Sequence, residues 1–261
     1  MAEDWFVQIW VFFFGLAIGS FLNVCIHRLP KEMSVVNPGS HCPGCQKPVA
    51  WYDNIPLVSY LLLGGKCRHC KQRISFRYFL VELLTGALWL YLWSRFGPSG
   101  AFVAGAVLFS ILIVITMTDL ETGLIPDKVI FPGMAAGLLL SGAFPSVQHE
   151  LVWYWGFFQS ITGLLLGYGI LFGIGFFFNW IYKKETMGGG DVKLLAMIGA
   201  FVGWKAVPFV FLFAPMFAIP FALYAKFARK AETIPFGPYL ALTAGIFFLY
   251  SEKILAYFFL N

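Results

Sequence analysis

Apolar runs, most of them close to the length of a membrane-spanning helix, recur from one end of this chain to the other, and no other feature restricts its fold so tightly. Eight are legible, at 5–26, 79–94, 101–118, 129–145, 155–181, 193–204, 207–226 and 237–259, the sixth being the shortest. A run of about 20 apolar residues crosses a bilayer as a helix. Inside lipid only helices and closed barrels satisfy their own backbone groups, and these runs lack the alternation of barrel strands. The composition agrees: 59% of residues are hydrophobic and 12% charged, against roughly 25% charged in a soluble domain. The expected fold class is an all-α polytopic membrane protein with about eight transmembrane helices.

Charge placement sets the expected orientation. With the N-terminus outside, connections 27–78, 119–128, 182–193 and 226–236 face the cytoplasm. They hold all of the 18 Lys and Arg except Arg95, Lys205 and Lys253, as the positive-inside rule requires. Topology and the anionic headgroups of the lipid bilayer account for the net charge of +5, with no nucleic-acid partner. Residues 1–26 open with Glu3 and Asp4 and lack both a basic n-region and a small-residue cleavage site. They are expected to form a retained first transmembrane helix, not a signal peptide. Within it Gly15 and Gly19 form a G-x-x-x-G pattern suited to close helix packing.

Residues 27–78 are the one polar stretch long enough to fold outside the bilayer. They contain Cys42-Pro43-Gly44-Cys45 and, after 21 intervening residues, Cys67-Arg68-His69-Cys70. Two C-x-x-C pairs at that spacing read as a tetrahedral zinc site with Cys42, Cys45, Cys67 and Cys70 as ligands. A stretch of about fifty residues buries too little apolar surface to be secure alone, so a metal cross-link is a sensible staple. Two disulfides are disfavoured in a reducing cytoplasm, and a redox role would need one pair only. His41 and His69 adjoin the ligands but read as solvated loop residues. Cys25, in the first apolar run, reads as a small packing residue.

Two acids stand at the ends of apolar runs: Asp119 closes 101–118, and Asp191 follows Met187-Gly188-Gly189-Gly190 just before Leu194. Ionisable groups at a membrane boundary are costly and therefore functional candidates. A pair of neighbouring carboxylates holds one proton between them, the state that general acid–base hydrolysis of an amide requires. Glycines ahead of Asp191 would let a substrate backbone approach closely. A phosphate-binding loop is unsupported, since no strand precedes the glycines and no Gly-Lys-Ser/Thr follows. Asp127, after Pro126, reads as a helix N-cap. Glu82, one turn into the second run, is placed to meet a helix dipole, with an auxiliary binding role as the alternative. Lys193 would either favour the ionised dyad or meet lipid phosphate.

Gly19-Ser20-Phe21-Leu22-Asn23-Val24, Arg28-Leu29-Pro30, the two C-x-x-C pairs, Asn54-Ile55-Pro56, Leu80-Val81-Glu82-Leu83, the segment Asp119 to Asp127 and Gly188-Gly189-Gly190-Asp191-Val192-Lys193 together resemble the bacterial type IV prepilin peptidases over nearly the whole chain. That family consists of polytopic inner-membrane aspartic proteases of the G-x-G-D class. Many of them remove a basic leader and then N-methylate the new N-terminus with S-adenosylmethionine. The resemblance implies that Asp119 and Asp191 are the catalytic aspartates. It also implies that type IV prepilins or pseudopilins are the substrates, that the bacterial inner (cytoplasmic) membrane is the location, and that the active site faces the cytoplasm. Two alternatives stay open: a membrane aspartic peptidase that does not methylate, and a proton-coupled transporter using the same aspartates. Transport would favour carboxylates near the bilayer midplane.

The expected domains are 1–26, the first transmembrane helix; 27–78, a cytoplasmic four-cysteine zinc-binding domain; and 79–261, the polytopic membrane peptidase. No strand followed by G-x-G-x-x-G supports a Rossmann-type methyl-donor site. The region holding Trp51, Tyr52, Asp53 and Asn54 is the natural place to look for one. Pro208, Pro215 and Pro220 predict a kink in the seventh run, and Gly163 and Gly167 predict close packing of the fifth.

Overall fold

The computed structural model describes residues 4–183, 188–229 and 234–259. Met187 and part of each of the basic connections 182–193 and 226–236 lie outside them. The described chain is all-α, with helices α1 (Asp4–Arg28), α2 (Val58–Leu62), α3 (Phe76–Phe96), α4 (Gly100–Thr122), α5 (Asp127–Ala143), α6 (Trp153–Tyr182), α7 (Gly189–Arg229) and α8 (Gly237–Phe259). By length and hydropathy α1, α4, α6, α7 and α8 can cross a membrane, so this is a multi-pass membrane protein. The expectation of eight spans is not met in that form. The second and fourth runs became α3, which carries Arg77, Glu82 and Arg95, and α5, at 17 residues; neither reaches that standard. The sixth and seventh runs are consecutive parts of α7.

The chain divides into two compact units, Met1–Pro98 and Ser99–Asn261. In the first, α1 packs along α3. Gly15 lies against Gly86 and Trp89, and Gly19 against Glu82 and Thr85, so close that a Cβ at 19 would stand 2.8 Å from the Glu82 Cα. The G-x-x-x-G pattern thus does what its spacing predicts. Asn23 fastens the same pair of helices, its Nδ2 donating to the Tyr78 carbonyl at 3.0 Å.

In the second unit α7 is the central helix. Residues 194–201 are all buried, packed among α4, α5, α6 and α8. A helix apolar on every side belongs in the middle of a bundle. Gly163 and Gly167 of α6 meet the backbone of α7 at Gly199 and Leu195. The break in α7 falls at Gly203 (φ 74°, ψ 167°), not at the prolines. Such a break frees carbonyls of the preceding turn, and side chains cover them. Gln148 Nε2 donates to the carbonyls of Ala200 at 3.2 Å and Phe201 at 3.0 Å, and Ser160 Oγ to that of Ala200 at 2.6 Å. Glycine is required at 203, where φ is left-handed.

Candidate active site and metal centre

Asp119 lies in the last turn of α4, which Gly123 ends with a left-handed φ of 65° and an N–H donated to the Asp119 carbonyl. Its side chain is buried, and Oδ2 accepts the Gly237 N–H at 2.9 Å. Asp191 lies in the first turn of α7, half-buried. Its N–H donates to the Gly188 carbonyl at 3.2 Å. The two carboxylates are near enough for their charges to act on each other.

Ile125 and the glycines hold this arrangement together. A Cβ at Gly190 would stand 3.0 Å from the Ile125 Cβ, and one at Gly237 would stand 2.7 Å from Asp119 Oδ2. The C-terminal end of α4 and the N-termini of α7 and α8 therefore converge on one point. The first N–H groups of a helix have no partner inside it. At Gly237 that orphan donor is spent on a carboxylate. Sequence reading passed over Gly237; the signal was Pro235-Phe236-Gly237-Pro238 immediately before an apolar run.

Contacts bear on three further readings. Pro126, not Asp127, is the N-cap of α5, and it makes no side-chain cap bond. Asp127 instead forms an ion pair with Lys193, whose Nζ donates to Oδ1 at 2.8 Å and Oδ2 at 2.9 Å. Lys193 thus spends its charge on Asp127. Glu82 is buried and accepts the Leu57 N–H at 2.8 Å, together with the Ser20 hydroxyl.

Cys42, Cys45, Cys67 and Cys70 come together, their sulfurs all within 4.8 Å of one another and Cys42 Sγ 3.7 Å from Cys70 Sγ. A tetrahedral Zn–S bond of about 2.3 Å would set neighbouring sulfurs about 3.8 Å apart. The set fits a metal ion. Each pair sits in the same local fold. Cys42 N–H donates to the Lys47 carbonyl, Gln46 N–H to that of Cys42 and Val49 N–H to that of Ser40; Cys67 to Gln72, Lys71 to Cys67 and Ile74 to Gly65 repeat the pattern. Gln46 and Lys71 share a left-handed φ, 57° and 59°. The knuckle is therefore present twice, 25 residues apart, a repeat that sequence reading missed because only the cysteines are shared at the functional positions. His41 and His69 are outside the thiol cluster, and Cys25 is buried. Arg68, between the second pair, holds Asp53 with two hydrogen bonds of 2.7 and 2.6 Å, which keep the Asp53 carboxyl below its ordinary range.

The second unit is a polytopic helical bundle that brings two aspartates to one cluster of helix ends, and the first carries the four-cysteine cluster. The chain belongs to the type IV leader peptidase family. Residues 106–223 match that family, and residues 13–96 match the bacterial peptidase A24 N-terminal domain. The prepilin leader peptidase/N-methyltransferase of Aeromonas hydrophila is 35% identical over 280 residues, covering 96% of this chain and 93% of that protein. The protein of the same name from Pseudomonas aeruginosa is 37% identical, over 92% and 89%. That from Myxococcus xanthus is 41% identical, over 80% and 60%. No solved structure matches.

Proposed function

We propose that this chain cleaves the leader of type IV prepilins and pseudopilins at the cytoplasmic face of the bacterial inner membrane and N-methylates the new terminus. The observation that carries the reading is the convergence of Asp119 and Asp191 on one cluster of helix ends, in a chain similar over most of its length to named leader peptidase/N-methyltransferases. Asp119 and Asp191 are the catalytic pair. One, ionised, takes a proton from water as the water oxygen adds to the scissile carbonyl; the other, protonated, gives its proton to the leaving nitrogen. The C–N bond breaks, leaving a carboxylate on the leader and an amine on the pilin. The basic connections support a cytoplasmic active site.

Residues 27–78 form the cytoplasmic zinc domain in this reading, with zinc held by Cys42, Cys45, Cys67 and Cys70 as a structural cross-link. The polytopic region 79–261 carries the aspartates. S-adenosylmethionine, when bound, supplies an electrophilic methyl group for the new amine. A cavity of about 440 Å³ in the first unit, bordered by buried Glu82, has the size of a small-molecule site. Its lining residues all belong to the first unit and both aspartates to the second, so this reading gives donor binding and proteolysis separate residues. Incubation of purified protein with a synthetic prepilin and labelled S-adenosylmethionine tests the reading. Cleavage with methylation is expected; cleavage alone leaves a simple peptidase, and neither product overturns it.

A further inference from the structure

The cavity of the first unit is walled by α1 at Ser20 and Val24, by both cysteine knuckles, and by the start of α3 at Tyr78 and Glu82. Glu82 has 8% of its surface exposed, and its hydrogen-bond partners are the Leu57 N–H and the Ser20 hydroxyl, neither of them a cation. A buried anion without a counter-charge is expensive. The chain also strains to reach it. Leu57 has φ 60° and ψ −48°, and Val58 N–H donates to the Pro56 carbonyl at 2.6 Å, a γ-turn that a leucine rarely adopts. Strain of this kind gathers where a ligand is clamped.

The lining also holds Lys47, Arg73 and Arg77, with the aromatic rings of Tyr60 and Tyr78, the Arg77 guanidinium lying over the Tyr78 ring at 4.9 Å from its centroid. Asp53, the other acid in the wall, is already paired with Arg68. Cations therefore outweigh unpaired anions, and a polycationic leader peptide is a poor occupant. A small zwitterion with an aromatic base and a positive centre matches all three features.

Resting on the methyltransferase reading above, we infer that this cavity is the S-adenosylmethionine site and that Glu82 supplies the counter-charge to the donor's sulfonium, with the cations Lys47 and Arg73 in the same lining available to its carboxylate. Glu82 is then the group that tells the cationic donor from S-adenosylhomocysteine, which lacks the sulfonium charge.

Equilibrium dialysis of the full-length protein in detergent, with labelled S-adenosylmethionine and S-adenosylhomocysteine, tests this. Glu82→Gln removes the charge and keeps an acceptor for the Leu57 N–H, while its amide NH2 can donate to the Ser20 hydroxyl oxygen in place of accepting from it. It is expected to weaken the donor about 10- to 100-fold and the homocysteine product less than about three-fold. Equal weakening of both, or of neither, overturns the role of Glu82. Ultraviolet cross-linking of the labelled donor to the wild-type chain needs no variant: label within residues 40–82 supports the site. A wild type that methylates pre-cleaved prepilin but is labelled only within 99–261 overturns the site alone. A wild type that neither binds nor methylates overturns the methyltransferase reading together with the site.

Discussion

The Gly237 N–H donates to Asp119 Oδ2 at 2.9 Å, so the first turn of α8 fixes a carboxylate that sits 118 residues earlier in the chain. A methyl group at 237 would stand 2.7 Å from that oxygen. Gly237→Ala is therefore expected to slow leader cleavage about 10- to 100-fold, the scale on which misplacing a catalytic group acts. The overlap is with the end of a side chain, so the Asp119 carboxylate is expected to move and stability to change little beside the loss of rate; a cleavage time course beside a melting curve separates geometry from stability.

Asp119→Asn and Asp191→Asn should each abolish cleavage nearly as fully as the double change. Positioned acid–base groups contribute roughly 100- to 10,000-fold apiece, and groups that act as a unit are strongly non-additive. Methylation of pre-cleaved pilin should persist. Substantial proteolysis by Asp191→Asn in folded, membrane-inserted protein would move the catalytic pair elsewhere.

The Lys193–Asp127 pair joins the first turns of α7 and α5 with side chains 35% and 52% exposed. Pairs this open contribute about 0.2–1 kcal/mol. Lys193→Met, Asp127→Asn and the double variant should give a coupling energy in that range from denaturant unfolding, with cleavage within a few-fold of wild type. A larger coupling would mean that the pair sets the spacing of the aspartates.

Zinc should be near-stoichiometric by elemental analysis and lost on Cys42→Ser. In metal-stripped protein the Cys70 and His69 N–H groups hold the Cys67 thiol down at about 6. For Cys70 the Gln72 N–H pulls downward, but desolvation and the neighbouring thiols of Cys42, Cys67 and Cys45 push it up to about 11. The thiolate is the reactive form. At pH 7, above the Cys67 value and far below that of Cys70, mass spectrometry should find Cys67 alkylated first and Cys70 late; the reverse order would refute this local geometry.

Much of this was legible in the chain. Apolar length announced the long helices, and the ends of two runs announced Asp119 and Asp191, because a charge at such a boundary needs a reason. The paired cysteines announced their own cluster. What stayed hidden depends on contacts between distant segments. Proline chemistry pointed to residues 208–220 for the break in α7, whereas Gly203 bends because Gln148 and Ser160 wait beside it to take up the carbonyls of Ala200 and Phe201. Asp127 follows a proline at a helix start, as a cap would, yet Lys193 draws its carboxylate away. A backbone N–H such as that of Gly237 leaves no residue-type signature at all.

Residues 194–201 carry Asp191 at their leading edge and are enclosed on every side. Their amides cannot meet solvent deuterium by fraying or by a local opening, because parting them from their neighbours undoes the bundle. Exchange there follows only global unfolding, the slowest class. The aspartate thus rides at the tip of the segment that comes apart last.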